Sequence, residues 1–204
     1  MIYRSSIFLV LFCVLLVGCG KDDAPTPPED TVNDKELLAL GWKDFEEKRY
    51  DSAITNFTEA YNKSTTAAIR AESLCGRGWA NSSKRDFTKA KSDFAFALGV
   101  SGIPTDVDLD VRTGHAFVAH AQNDFTSAIS FAHAVLTQRP GYVFAHDARV
   151  TAKRVRMVLI QSYYADGQFV QAAGQMDLLD PAKAPHAADP VILLQNIIAA
   201  RSSL

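Results

Sequence analysis

Four segments of this chain of 204 residues align without gaps, and each has an aromatic residue followed three positions later by alanine. The aromatic residues are Tyr50, Phe87, Phe125 and Phe169, and the alanines are Ala53, Ala90, Ala128 and Ala172. Twelve positions before these alanines stand Gly41, Gly78, Ala116 and Ile160, and seven positions after them stand Ala60, Ala97, Val135 and Leu179. The alanines are 37, 38 and 44 residues apart. Repetition at this spacing is typical of a solenoid of short stacked units.

Within each unit the apolar residues follow the spacing of two amphipathic helices. The pattern predicts eight helices, over residues 34–48, 51–63, 67–83, 87–99, 107–122, 125–138, 145–165 and 169–179. Asp51 is placed to cap the second of them. Glycine inside a helix is less favourable than alanine by about 1 kcal/mol, so Gly41 and Gly78 need a packing reason. Close crossing of two helices at these positions supplies one.

The repeated residues resemble those of the tetratricopeptide (TPR) repeat, a pair of antiparallel helices. The small residue, the aromatic residue and the alanines match the family pattern at every position in the first two units, and Pro140 falls at the family's proline in the third. The resemblance covers about residues 34–181, and we assign residues 34–188 to TPR-like repeats. It implies an all-α, TPR-type α-solenoid of about four repeats. The spacings exceed the ideal 34 by 3, 4 and 10 residues, which lengthens the loops or helix ends between repeats.

A last helix is predicted over residues 190–203, within a C-terminal capping segment that spans residues 189–204. Asp189 is expected to be its N-cap and Pro190 its first helical residue. Terminal repeats need a cap because their outer face has no neighbour. The side chains predicted to cover the end of the stack are Val191, Leu194 and Ile198, with Ile197 beside them.

The first 18 residues have the features of an export signal. Residues 7–17 form an apolar run of 11 residues, which as a helix would rise about 16 Å, half of a hydrocarbon core. Residues 16–19, Leu-Val-Gly-Cys, resemble the bacterial lipobox. That resemblance implies cleavage before Cys19, acylation of its sulfur and new amino group, and anchoring by several acyl chains. An ordinary secretory signal with an incidental cysteine is the alternative.

Residues 19–33 are expected to form a solvated tether, since they are acidic, rich in proline and lack apolar periodicity. Cys19 is followed by glycine, so the inner-membrane retention signal of enterobacteria is absent. Residues 19–23 (Cys-Gly-Lys-Asp-Asp) resemble the signal of surface-exported lipoproteins in Bacteroidetes. The predicted location is therefore the cell envelope, lipid-anchored in the outer membrane, at either its periplasmic face or the cell surface.

Composition and motifs argue against several functional classes. A net charge of −2 disfavours nucleic-acid binding through bulk charge. We find no phosphate-binding loop, nucleophile elbow or paired-cysteine motif, and the five histidines lack the spacing of a metal site. Cys75 is expected to be a buried core residue. We therefore predict a protein that is not an enzyme and uses no cofactor or metal.

One helix position per repeat is a candidate for partner binding. The fourth repeat departs from the pattern, with Ile160 at the position of the small residue. The residue after this position is Trp42, Trp79, Phe117 or Gln161, and the TPR resemblance implies that it faces a concave groove. With the residues three and four positions further on, and those at the start of each first helix, the candidate groove comprises Trp42, Phe45, Trp79, Phe117, His120, Tyr164, Glu72, Asp110 and Arg154. Alternatively, these aromatic residues fill the inner seam between adjacent repeats and contact no ligand.

The function predicted from the sequence is a membrane-anchored scaffold that holds a partner peptide or protein in this groove. Tethering would raise the effective concentration of the module for partners at the same surface. An accessory surface lipoprotein for glycan or nutrient acquisition is the alternative, because starch-binding surface lipoproteins of Bacteroidetes also use TPR helices. Those chains are much longer and carry inserted binding loops.

Overall fold

The computed structural model describes residues 32–203, and the predicted signal peptide, Cys19 and nearly all of the predicted tether lie outside this range. The described part contains nine α-helices and an isolated antiparallel bridge between Val143 and Thr151. The helices are α1 (Asp34–Glu46), α2 (Tyr50–Lys63), α3 (Ala67–Ser83), α4 (Phe87–Leu98), α5 (Thr105–Ala121), α6 (Phe125–Gln138), α7 (Ala152–Ala165), α8 (Phe169–Leu179) and α9 (Pro190–Arg201). The predicted all-α array is confirmed.

The helices stack in two layers. Each odd-numbered helix from α1 to α7 packs on the even-numbered helix that follows it, and also on the next odd-numbered helix. The even-numbered helices α2, α4, α6 and α8 make no such contacts with one another in the described range. The odd-numbered helices therefore form the inner layer of a curved stack. We call the surface of this layer that faces away from the even-numbered helices the concave face.

Two phenylalanines explain the glycines inside the helices. A Cβ atom on Gly41 would lie 2.6 Å from the ring of Phe57, and one on Gly76 would lie 2.3 Å from the same ring. Phe94 is enclosed in the same way between Gly78 and Gly114. Each ring therefore sits between the first helix of its own repeat and the first helix of the next. The packing reason predicted for Gly41 and Gly78 is confirmed.

The turn within each repeat has the same backbone geometry. Lys48, Arg85, Asn123 and Gly167 all have positive φ, at 61°, 64°, 62° and 77°. Each stands two residues before the aromatic residue that begins the second helix of its repeat. Residues other than glycine adopt this conformation at a cost of roughly 1–2 kcal/mol. Its recurrence shows that the four units share one turn despite their different sequences.

Three details of the sequence prediction were wrong. Asp51 does not cap α2, because the helix begins one residue earlier, at Tyr50. The seventh helix begins at Ala152 rather than at residue 145, and residues 139–151 form a non-helical connection. Asp189 does cap α9, but the buried side chains of that helix are Leu193 and Ile197. Those predicted to cover the stack are exposed, namely Val191 (66%), Leu194 (41%) and Ile198 (60%).

Candidate binding site on the concave face

Residues 139–151, which we call the insert, cover half of the concave face. The insert connects α6 to α7 and holds most of the extra length between the third and fourth repeats. Its middle part is extended, so successive side chains point to opposite sides. Tyr142 and Phe144 are buried and His146 is largely covered, whereas Val143 is 53% exposed. The insert thus lays three ring side chains onto the helices of the first repeats.

Phe144 is the centre of the contact between the insert and the repeats. Its ring is fully buried and stacks on Trp79, with ring centroids 4.5 Å apart and an interplanar angle of 19°. It also meets the edges of Trp42 and Phe45, at 5.9 Å and 6.3 Å. Aromatic pairs in such geometries each stabilise by about 0.5–1.5 kcal/mol beyond the burial of their area. Phe144 therefore joins α1 and α3 through a side chain that belongs to neither.

Two polar contacts fix the ends of the extended segment. The imidazole of His146 lies flat on Trp42, with centroids 3.7 Å apart, and its Nδ1 is 2.9 Å from Oε1 of Glu46. At the other end, the hydroxyl of Tyr142 donates to Oδ1 of Asp110 at 2.6 Å. The insert is thereby attached to α1, α3 and α5 together.

The two tryptophans also join adjacent repeats. The indole N–H of Trp42 donates to Oε1 of Glu72 at 3.0 Å, and that of Trp79 donates to the backbone carbonyl of Asp110 at 3.2 Å. Both acceptors lie on the next odd-numbered helix. In this half, the candidate residues thus bridge neighbouring repeats and at the same time support the insert.

Burial of the Asp110 carboxylate under the insert is electrostatically unfavourable. Burial raises the pKa of its carboxyl to about 6, and the neighbouring charges of Asp106 and Glu72 act in the same direction. The hydrogen bond from Tyr142 opposes these effects by favouring the carboxylate. Since a raised carboxyl pKa means that the folded chain binds the proton more tightly, stability is lost as the pH rises from the ordinary carboxyl pKa of 3.8 through about 6, and above that range the penalty is constant.

We therefore expect Asp110→Asn to change the pH dependence of stability. Asparagine keeps the size and an acceptor for Tyr142 but removes the buried charge. The free energy of unfolding of the unchanged chain, relative to the variant, should be higher at pH 5 than at pH 7.5 by about 1 kcal/mol. Urea unfolding followed by circular dichroism at both pH values measures this difference. A difference that stays constant between the two pH values would contradict the assignment.

The other half of the concave face is open. A cavity of about 450 Å³ is lined by Phe117, Arg154, Met157, Val158, Gln161 and Arg201. A second cavity of about 210 Å³ shares Gln161 and Arg201 and is otherwise lined by His120, Tyr164, Leu194, Ile197 and Ile198. We call the two together the open site. It lies between α5, α7 and α9, so the exposed apolar residues of α9 form one of its walls.

The open site is electropositive above an apolar floor. Arg154 and Arg201 make no ion pair with any residue in the range 32–203, and no aspartate or glutamate lines either cavity. Burial lowers the pKa of His120, and the charge of Arg201 lowers it further, so this imidazole is neutral near pH 7. Its Nδ1 is 2.9 Å from the hydroxyl of Ser162, which connects α5 to α7. The two guanidinium groups are thus the charges available to a ligand.

The structure divides the nine candidate groove residues between these two halves. Those at or beneath the insert are Trp42, Phe45, Glu72, Trp79 and Asp110, and those lining the open site are Phe117, His120, Arg154 and Tyr164. The insert residues Tyr142, Phe144 and His146, and Arg201 of α9, were not among the residues predicted from the sequence. Two signals pointed toward the insert, namely the 44-residue spacing and the alternation of ring side chains from residue 142 to 146.

The remaining chemistry-bearing residues have structural surroundings. Cys75 is 1% exposed and burial raises the pKa of its thiol well above the usual value, which confirms the prediction of a core residue. His115 is packed against the ring of Phe131, at 4.3 Å, and burial lowers its pKa to about 4. Within residues 32–203 we find no cluster of three or more metal-binding side chains, and no helix there is long and apolar enough to cross a membrane.

The solved structures with this arrangement of helices are TPR proteins. YrrB, described as a TPR protein with an unusual peptide-binding site, has a TM-score of 0.62 and 14% identity, covering 85% of this chain and 89% of its own. A structure of MamA has a TM-score of 0.60 and 12% identity, over 83% of this chain and 97% of its own. A TPR protein from Parabacteroides merdae has a TM-score of 0.59 and 11% identity, and the match covers 83% of this chain and 60% of that one.

No protein-family model matches the sequence, and no curated protein matches it either. The structural similarity establishes the fold as a TPR-type α-solenoid, in agreement with the resemblance found in the sequence. At identities of 11–14% it establishes the fold alone. The function has to be argued from the surfaces of this chain.

Proposed function

We propose that the protein is a membrane-anchored interaction scaffold that binds a segment of a partner protein in the open site. One observation carries the proposal: two arginines without an ion-pair partner among residues 32–203 stand over an apolar floor on the concave face, next to an exposed apolar helix wall. Binding, rather than catalysis, is the proposed activity. YrrB, which has the same fold, is described as having a peptide-binding site.

The charges of the open site define the partner segment. Arg154 and Arg201 approach the cavity from α7 and α9, so carboxylates on a bound segment could contact both. Arginine suits this task because its planar guanidinium binds a carboxylate through two parallel hydrogen bonds. Phe117 and Met157 offer apolar contacts below, and Leu194 and Ile198 offer them at the side. The expected ligand is therefore an acidic segment that also carries apolar side chains.

The anchor is the second part of the proposal and rests on the lipobox resemblance. Lipids on Cys19 would hold the solenoid at the outer membrane, on its periplasmic face or at the cell surface. Residues 19–33 would then separate the solenoid from the bilayer. Confinement to this surface would favour partners that reside there. Radiolabelled palmitate should be incorporated by the unchanged chain and not by Cys19→Ala, and equal labelling of the two would refute the anchor.

Charge reversal in the open site should weaken partner binding. A partner is first captured from an envelope extract with the immobilised chain and identified, and its affinity is then measured with purified protein. The double variant Arg154→Glu/Arg201→Glu should bind at least about tenfold more weakly, because it replaces attraction by repulsion. Lys153→Glu/Lys183→Glu makes the same change in net charge outside both cavities and should retain the affinity. Equal affinities for the two double variants would refute the open site.

A further inference from the structure

We propose that the filled half of the concave face is a second peptide-binding site, occupied within the same chain by the insert. The site accepts a segment with ring side chains at three alternating positions, tyrosine, phenylalanine and histidine. This segment is extended from the tyrosine to the phenylalanine and then enters a turn that contains the histidine. A partner segment with this pattern would bind by replacing residues 142–146. This inference goes beyond the proposed function, because it concerns a different surface and a ligand of different chemistry.

The insert is held in the manner of a bound peptide. Its backbone hydrogen bonds are made within the insert and to the adjoining ends of α6 and α7; for example, the N–H of Phe144 donates to the carbonyl of Val150. None of them reaches α1, α3 or α5. The contacts with these helices come from side chains at alternate positions, with Val143 left 53% exposed between them. The repeats therefore recognise a side-chain pattern, which a segment from another chain could also supply.

The recognition surface belongs to helices that are remote from the insert in sequence. His146 and its partner Glu46 are 100 residues apart, and Tyr142 and Asp110 are 32 apart. The cradle for Phe144 is formed by Trp42, Phe45 and Trp79 of the first two repeats. These residues stand at repeated positions that the TPR pattern sets, whereas the insert is additional to that pattern. The site is thus a property of the solenoid, and the insert is its occupant.

The His146 end of the insert offers access to a competing segment. Two cavities of about 390 and 400 Å³ flank this residue, and each is open to solvent. Lys35, Leu38 and Ala39 line the first, while Ser83 and Arg149 line the second. Displacement can therefore begin at the imidazole of His146, whose side chain is 23% exposed, before the buried phenylalanine leaves its cradle. A competing segment with the same side chains can form each contact with the helices as the insert releases it.

Covalent attachment of the insert sets the concentration that a free segment must reach to displace it. A short loop holds its segment at the site with an effective concentration in the millimolar range or above. A free segment with the same side chains must exceed this concentration, so the unchanged chain is closed to weak ligands. Weakening the insert should lower the threshold while leaving the open site unchanged, since Arg154 and Arg201 do not contact the three rings.

The experiment uses a synthetic peptide of residues 139–151 and the otherwise unchanged chain with Tyr142→Ala, Phe144→Ala and His146→Ala. Trp42 and Trp79 are the only tryptophans of the protein, and both contact the insert, so their fluorescence reports occupancy. We expect the emission of the triple variant to lie further to the red, and the peptide to shift it back. A control peptide with phenylalanine 144 replaced by serine should not do so.

Phe144→Leu provides a test that does not depend on the stability of the triple variant, because leucine keeps most of the buried volume. Binding of the fluorescein-labelled peptide is followed by polarisation. The peptide concentration that half-saturates Phe144→Leu should be at least tenfold below that for the unchanged chain. Equal values for the two chains, or a helical triple variant whose emission the peptide does not shift, would overturn the proposal. The insert would then be an integral part of the core.

Discussion

Phe144→Ala is expected to lower the free energy of unfolding by about 3–5 kcal/mol. The ring is fully buried against Trp42, Phe45 and Trp79, and its removal leaves a cavity that rigid helices on both sides cannot close. This loss of stability would be unusually large for a residue between two helices, since substitutions in exposed loops usually change stability by less than about 0.5 kcal/mol. Urea unfolding followed by circular dichroism at 222 nm measures the change.

Val143→Ala is the matched control for this prediction. The two residues are adjacent, but the side chain of Val143 is 53% exposed on the opposite side of the extended segment. Its truncation should change the stability by no more than about 0.5 kcal/mol. If both substitutions had the same small effect, the insert would not be packed on the concave face.

Gly78→Ala is expected to destabilise the chain by about 2 kcal/mol, although alanine is the better helix former. The new methyl group would lie 2.6 Å from the ring of Phe94, which is itself confined on its far side by Gly114. Overpacking of this kind typically destabilises by 1–3 kcal/mol. The helices α3 and α4 would have to separate, and α5 would be displaced with them.

Gly174→Ala makes the same substitution in α8, where a Cβ atom would meet nothing within 4 Å. There the gain in helix propensity acts alone, so the variant should be more stable by up to about 1 kcal/mol. The thermal unfolding midpoints of the two variants should therefore move in opposite directions. If Gly78→Ala were neutral or stabilising, the close crossing of helices at this position would be wrong.

The repeats could be predicted from sequence because their determinants are local. The spacing of apolar residues sets the helices, and small residues such as Gly41 and Gly78 mark where two of them cross. These signals recur four times, so each unit supports the assignment of the others. Asp189 and Pro190 likewise identify the start of α9 without reference to distant residues.

The insert and the orientation of α9 could not be predicted in this way. The apolar residues between 142 and 150 are compatible with a helix, and the extended conformation depends on aromatic partners in α1 and α3. In α9, the four consecutive residues Val191, Ile192, Leu193 and Leu194 place apolar side chains on all faces, so periodicity does not indicate which face is buried. Long-range packing decided both cases.

The same distinction applies to the binding surface. The register of the repeat placed Trp42, Trp79 and Phe117 on the concave face, but whether each is accessible depends on the insert. Only the last of these lines a cavity of the open site. From the sequence, the nine candidate residues were expected to form either one groove or a filled seam between repeats, whereas the structure shows a filled half and an open half.

The central claim is that the open half of the concave face binds the partner while the insert keeps its place in the filled half. Photocross-linking in cells tests it most directly, with a benzophenone amino acid placed at Gln161 in the open site or at Val143 on the exposed side of the insert. We predict a discrete cross-linked adduct from position 161 and none from position 143. An adduct from position 143 with none from position 161 would contradict the account.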